Sequence, residues 1–226
     1  MNEHASTHNV AEAPRRARRY LPAMGRDWLL PLYDPFTRLL GVTAAHRRLA
    51  DEAELDSAGR VLEIGCGTGN LALMVKRTRP QLDVAGLDPD PRALARAGRK
   101  ARRTGLAVEL DLGFADQLPY PDASFDRVLS ALMFHHLEAD LRLASLREVA
   151  RVLRPGGSLY LVDFGGNSDH LHGLMRRARH SHTLSDNFDD RIPTLMAEAG
   201  LVDPVATGHL DRRFGRLTFY HGARAT

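Results

Sequence analysis

The sequence predicts a doubly wound α/β fold, with helices on both faces of a mostly parallel, seven-stranded sheet. Three observations carry that expectation. From Gly59 onward, short apolar runs alternate with longer stretches of helical period, the pattern of strand and helix units in a parallel sheet. The first run ends in Gly65-Cys66-Gly67-Thr68-Gly69, which opens directly into a helical stretch. The last two apolar stretches follow one another with no helical pattern between them, predicting an antiparallel hairpin at the sheet edge.

Residues 1–19 are polar, rich in His, Ala and Arg, and without apolar period, so a flexible basic tail is expected. A single domain should follow over 20–226: a helical cap at 20–58, a ligand-binding core at 59–164, and a loop, helix and final strands at 165–226. Within the cap, Pro31 and Pro35 break the pattern, and Leu39, Leu40, Ala44, Leu49 and Ala53 predict the apolar stripe of a helix. Strands are expected near Arg60 to Ile64, Leu82 to Leu87, Ala107 to Leu110, Phe125 to Ser130 and Ser158 to Asp163. Helices fit between them at Leu71 to Arg79, Arg92 to Thr104 and Glu138 to Leu153, the last stopped by Pro155-Gly156-Gly157. A helix near Ile192 to Ala199, closed by Gly200, precedes the hairpin stretches at Leu201 to Ala206 and Leu217 to Tyr220. No internal repeat argues for a second domain.

With 43% hydrophobic and 26% charged residues, the composition is that of an ordinary globular domain, and no apolar run approaches membrane-spanning length. One cysteine, Cys66, forms no internal disulfide, and the N-terminal residues lack the apolar core of a secretion signal; a cytoplasmic location is the expectation. The net charge of +3 is carried by arginine clusters at Arg15 to Arg19 and Arg96 to Arg103. Solvated surface explains them, and peripheral contact with anionic lipid is the sharper alternative.

Glycines in the turn after the first strand bring bare backbone against a ligand at the carboxyl end of the sheet. A dinucleotide site would have Gly-x-Gly-x-x-Gly, but here the spacing is Gly-x-Gly-x-Gly and position 70 is Asn. Glu63, two residues before the first glycine, would repel a pyrophosphate and tolerate a zwitterionic amino acid group. Asp88, in Asp88-Pro89 after the second strand, stands where a carboxylate accepts from ribose hydroxyls. Asp116, after the third strand, is placed to accept from an adenine amino group.

Glu63-Ile64-Gly65-Cys66-Gly67-Thr68-Gly69, Asp88, Ala115-Asp116 and Arg151-Val152-Leu153-Arg154-Pro155-Gly156-Gly157 resemble the successive motifs of class I S-adenosylmethionine methyltransferases. Their fold is Rossmann-like. Leu118-Pro119-Tyr120-Pro121-Asp122-Ala123-Ser124-Phe125-Asp126 is most similar to the ubiquinone and menaquinone C-methyltransferase group and its small-molecule relatives. The resemblance implies that S-adenosylmethionine is the cofactor. It places Glu63, Gly65, Gly67, Thr68 and Gly69 around the methionine part, Asp88 with Pro89 at the ribose, Ala115 and Asp116 at the adenine, and Ala131 near the sulfonium. Two stretches depart from the group. Tyr33-Asp34-Pro35-Phe36-Thr37 lacks its Met-Asn, and Asp163-Phe164-Gly165 replaces Glu-x-Ser, so quinone is not assigned as acceptor.

A base is needed only for an acidic oxygen, carbon or nitrogen acceptor, and histidine suits the task. His135 and His136 follow the fourth strand. Adjacent side chains should point apart, so one of them, His135, is the candidate catalytic base, with a plain hydrogen-bonded histidine as the alternative. His170, His172, His180 and His182 form two His-x-His pairs, but no cysteine or carboxylate joins them at ligand spacing, and no metal is expected. Asp163 is placed either to touch the acceptor or to cap a turn. Trp28, Leu29, Leu30, Leu32, Tyr33 and Phe36, with Leu132, Met133 and Phe134, suggest a small, moderately apolar acceptor or simply core. No Asp-Pro-Pro-Tyr-like stretch follows the fourth strand, so nucleic acid is not expected as a partner. A nicotinamide-dependent oxidoreductase and a non-catalytic cofactor-binding protein are the competing readings.

Overall fold

The computed structural model describes residues 41–165, 191–212 and 215–226. The tail at 1–19, the cap residues Trp28 to Phe36 and the four histidines from His170 to His182 lie outside them. Helix α1 (Val42–Glu52) buries Val42, Ala45, Leu49 and Ala50. Its stripe corrects the expected one: Ala44 faces solvent, because Ala45, Leu49 and Ala53 repeat every four residues and Ala44 falls out of phase with them.

Strand β1 (Arg60–Ile64) is followed by α2 (Asn70–Thr78), β2 (Asp83–Asp88), α3 (Pro91–Thr104) and β3 (Glu109–Leu112). Then come β4 (Phe125–Ala131), α4 (Ala139–Val152), β5 (Leu153–Phe164), α5 (Arg191–Glu198), β6 (Leu201–Arg212) and β7 (Gly215–Arg224). Their order in the sheet is β3-β2-β1-β4-β5-β7-β6. β1 to β5 pair in parallel, and β7 enters antiparallel between β5 and β6, giving the expected hairpin with β6 at the edge. Both hairpin strands are longer than predicted. Exposed, largely polar stretches of β6 are held by backbone pairing to β7, which leaves little hydrophobic signal in the sequence.

Alternate residues of each strand feed two cores. Leu62, Ile64, Val128, Leu159 and Leu161 pack with Leu146 and Val149 of α4 and Ile192 and Met196 of α5. Val61, Leu129, Tyr160 and Val162 pack with Leu49 of α1 and Leu71 and Val75 of α2. Burial on both faces is why these strands read as apolar runs rather than alternating ones. Helix α3 shows its ends in sequence: the Asp90 side chain accepts from the Arg92 N–H at 2.8 Å, Pro91 opens the helix, and Gly105 closes it at φ +65°. Pro155-Gly156-Gly157 does stop α4, yet it falls within the bounds of β5. The ladder pairs Phe125 with Leu153 and next Arg127 with Ser158, so the intervening residues bulge out of register.

The chain winds outward from β1 through β2 to β3, then returns to lay β4 on the other side of β1. The order reverses between β1 and β4, beyond the paired ends Ile64 and Ser130, the place where sheets of this plan bind their ligands. No helix among the described residues is long and apolar enough to cross a membrane.

Candidate active site

The glycine turn follows β1 at that switch. N–H groups of Gly65 and Cys66 donate to the Leu87 carbonyl at 2.8 and 3.0 Å, tying the turn to β2, and Gly69 N–H donates to the Cys66 carbonyl at 2.8 Å. Gly65, Gly67 and Gly69 have φ of +69°, +52° and +74°, the left-handed region where a side chain is strained. A Cβ on Gly65 would strike Met133, and one on Gly69 would come within 2.9 Å of Ala97 Cβ. Gly67 differs: a Cβ there would meet nothing within 4 Å. Packing explains two of the glycines; the third borders open space, as a cradle for a ligand would.

The acids flank this cradle. Glu63 is buried, and its Oε2 accepts from the Ala72 N–H at 2.7 Å, pinning the first turn of α2. Burial pushes its carboxyl up to about 8, the Ala72 N–H opposes the rise, and the Asp88 charge adds to it. Asp88 accepts from Gly67 N–H through Oδ2 (2.7 Å) and from Asp90 N–H through Oδ1 (2.9 Å), and burial raises its carboxyl above the ordinary range. A carboxylate has about four acceptor positions, so both oxygens retain capacity for hydroxyl donors. Pro89 sits between Asp88 and the helix cap Asp90, fixing this corner. Thr68 is buried, and Lys100 of α3 reaches both its hydroxyl (3.2 Å) and Asn70 Oδ1 (2.7 Å). Ala115 and the half-buried Asp116 lie on a turn after β3, closed by a bridge between Phe114 and Gln117.

The turn after β3 is clasped from behind. Arg151 donates to the carbonyls of Leu118 (3.1 Å) and Tyr120 (2.9 Å) and to Asp122 and Glu148, while Glu148 accepts from the Leu118 N–H at 2.8 Å. Asp126 accepts from the N–H groups of Gly59 and Arg60 and pairs with Arg154. The residues from Leu118 to Asp126 and from Arg151 to Arg154, far apart in sequence, thus grip each other.

On the other side of β1, β4 ends at half-buried Ala131, Leu132 adopts φ +56°, and the chain turns into a short 3-10 helix, Phe134–His136. Met133, just before it, is the residue that a Cβ on Gly65 would strike, so this turn rests against the glycine turn. Asp163, at the end of β5 and fully buried, takes Nδ1 of His135 at 2.7 Å through Oδ1 and the His135 N–H at 3.0 Å through Oδ2. Oδ1 also accepts from the Phe164 N–H at 2.7 Å. Burial alone would raise this carboxyl, but the His135 ring and the backbone donors outweigh it and hold it below the usual range. The ionised carboxylate calls for hydrogen on Nδ1, leaving Nε2 of His135 as a lone-pair base. Phe164 packs edge-on against the ring at 4.9 Å.

One expectation fails here. The rings of His135 and His136 do not point apart but lie 3.9 Å between centroids, because both sit in a helical turn rather than on an extended strand. Asp163, left open between two roles in the sequence, distinguishes the two histidines. Lys100 and Arg151 were missed as contributors; of these, only Arg151 had a signal, its place in the Arg151 to Gly157 motif. Thr218, paired with Asp163 across β5 and β7, holds a buried hydroxyl without a hydrogen-bond partner. Among the described residues, no three His, Cys, Asp or Glu side chains gather as a metal site.

A methyltransferase domain family matches residues 61–157. The demethylmenaquinone methyltransferase of Thermus thermophilus is 40% identical over 207 residues, covering 84% of this chain and 93% of that protein. Its counterpart in Deinococcus radiodurans is also 40% identical, over 69% of this chain and 65% of its own length. The ubiquinone/menaquinone biosynthesis C-methyltransferase UbiE of Geobacter sulfurreducens is 28% identical over 87% of this chain and 85% of its own. Among solved structures, the [4+2]-cyclase SpnF superposes with a TM-score of 0.66 at 20% identity, covering 81% of this chain and 80% of that one, a likeness of fold alone. The fold and the glycine turn define a class I S-adenosylmethionine-dependent methyltransferase, and within that class the chain belongs to the ubiquinone and menaquinone group.

Proposed function

We propose that this protein transfers a methyl group from S-adenosylmethionine to a small, moderately apolar molecule with an ionisable hydroxyl, a reduced quinone ring being the nearest chemical type. His135 would be the base and Asp163 its positioning residue. The observation that carries this reading is the His135–Asp163 pair, a base held by a buried carboxylate against the turn that packs on the glycine cradle. When bound, the cofactor supplies an electrophilic methyl on sulfur and a thioether leaving group.

Glu63 faces the charged amino acid end in this arrangement, Gly67 gives it backbone room, Asp88 takes the ribose hydroxyls, and Ala115 with Asp116 borders the adenine. Gly65, Thr68, Gly69, Pro89 and Ala131 shape the same cleft. His135 Nε2 removes the hydroxyl proton, which creates the electron-rich acceptor, and alignment with the methyl carbon does the rest. Domain boundaries at 20, 59 and 165 follow the same division of labour: cap, cofactor core and acceptor side. The 40% identity to two demethylmenaquinone methyltransferases supports the ring-type acceptor. So does the apolar wall at Phe164 and Met133.

Methyl-labelled cofactor offered with reduced quinones, phenols, amines and fatty acids tests the proposal. Label should pass to a hydroxylated aromatic acceptor. Tight binding of S-adenosylhomocysteine with no transfer to any member would instead make the protein a non-catalytic binder of the cofactor.

A further inference from the structure

We propose that the outer face of α2 and α3, together with the groove they form with α1, docks this protein on an anionic phospholipid bilayer. The inference rests on charge and topology and is independent of the acceptor named above.

Both crossovers, β1-α2-β2 and β2-α3-β3, run in the same direction along the sheet, so right-handed connection places α2 and α3 on one face. Together these helices carry eight cations, namely Lys76, Arg77, Arg92, Arg96, Arg99, Lys100, Arg102 and Arg103, and no acid. The net charge of the entire chain is only +3, so everything else is net acidic. Helix α3 buries nothing larger than Ala93, Ala97 and Ala101, which seats it close to the sheet and turns its long side chains outward. Arg77, Arg92, Arg99, Arg102 and Arg103 are exposed.

Elsewhere among the described residues several arginines pair with acids: Arg60 with Glu109, Arg79 with Asp56, Arg151 with Glu148 and Asp122, Arg154 with Asp126 and Arg216 with Asp211. Arg47, Arg77, Arg99, Arg102 and Arg103 form no ion pair with any described carboxylate. Between the three helices lies a groove of about 690 Å³ lined by Thr43, His46, Arg47, Arg77, Lys100 and Arg103, roomy enough for a phosphate headgroup. At the end of the edge strand β3 stands Leu112, a 62% exposed apolar side chain. It shares a strand face with Leu110, which lies 3.7 Å from the Cβ position of Gly98 in α3.

Guanidinium groups suit phosphate, polybasic faces gather at anionic leaflets, and an apolar side chain at the edge can enter the headgroup layer. Neither helix contains an aromatic residue, so the stacking platform used by single-stranded nucleic acid is missing from this face. Helix α3 begins directly after Asp88 and Asp90, so such docking would hold the cofactor crevice beside the bilayer.

The experiment is flotation of the full chain with vesicles of pure phosphatidylcholine and vesicles rich in phosphatidylglycerol. Binding is expected only to the latter, weakening with salt. Replacing Arg77, Arg99 and Arg103 together by Gln should reduce it by roughly fivefold per arginine, while the thermal shift given by S-adenosylhomocysteine is kept. A second variant, with Arg15, Arg16, Arg18 and Arg19 changed to Gln, separates the face from the tail. Loss in the tail variant with none in the face variant overturns the proposal. Equal binding to both vesicle types, or binding to a homopolymeric RNA without binding to either vesicle, overturns it too. Retained thermal shift makes a failure here distinct from a failure of the cofactor assignment.

Discussion

Glu63 is a carboxyl that burial keeps protonated up to about pH 8 while its neighbour Ala72 takes one of its oxygens. A bound ammonium group would favour the charged form and expel that proton. At pH 7, binding of S-adenosylmethionine should therefore release close to one proton, read by calorimetry in buffers of different ionisation enthalpy. Glu63→Gln should bind more weakly and release none. Because the folded carboxyl titrates above its unfolded value, its contribution to the stability of the free protein is full below about 4.5 and is lost as pH rises through about 8. The ligand-induced rise in Tm should accordingly grow over that interval. His135 and Asp163 make the second prediction at this scale. His135→Gln should lower kcat by about 10²- to 10⁴-fold with little change in cofactor affinity. Asp163→Asn should fall short of that loss in kcat, since a ring that has lost its orienting carboxylate still carries a base. None of this pairing was legible beforehand: the two residues lie 28 positions apart, and only the adjacency of β4 and β5 brings them together.

Among the elements, the turn from β1 into α2 was the most legible, because left-handed φ and close approach both demand glycine. The sequence showed three glycines alike, whereas packing divides them. Gly67→Ala should leave the fold nearly intact, at a cost of about 1–2 kcal/mol for a left-handed alanine, and weaken cofactor binding, since its Cβ points into open space. Gly65→Ala should lower Tm further as Met133 is displaced. Thermal scans with and without S-adenosylhomocysteine distinguish the two; a Gly67→Ala protein that binds normally would remove that residue from the cradle. Helix α3 was equally legible, having an aspartate, a proline and a terminal glycine at the right places. The 3-10 turn at Phe134–His136 was not. Its shape is set by Met133 resting on Gly65 and by Asp163 holding the His135 N–H, both distant in sequence.

For the whole molecule, the doubly wound plan and the hairpin followed from the apolar pattern, while the length of β6 and β7 did not, since backbone pairing to a neighbour leaves no mark on composition. Acid sensitivity is also a property at this scale. Asp163, Asp126 and Glu148 are held below their ordinary range by hydrogen bonds and cationic partners that outweigh burial where burial opposes them. Burial keeps His221 neutral below its usual range. Both kinds of shift have the same sign: stability present at neutral pH is lost as the unfolded chain takes up protons, first at the imidazole and then through the carboxylate range. Glu63 and Asp88, whose carboxyls burial raises, act in the opposite direction until the unfolded chain is itself protonated, so the net fall in Tm should appear below about pH 4, and Asp126→Asn should flatten it; a Tm independent of pH below that point would contradict this account.

Cys66 lies beneath the glycine turn, 5% exposed, with its sulfur against Gly86 and its thiol pushed up by burial. It is the sole cysteine in the chain. The protein therefore carries an internal clock for its own cleft: a thiol reagent reaches sulfur only in molecules whose turn has lifted from β2. The labelling rate, slowed by ligand, counts those openings without any introduced probe.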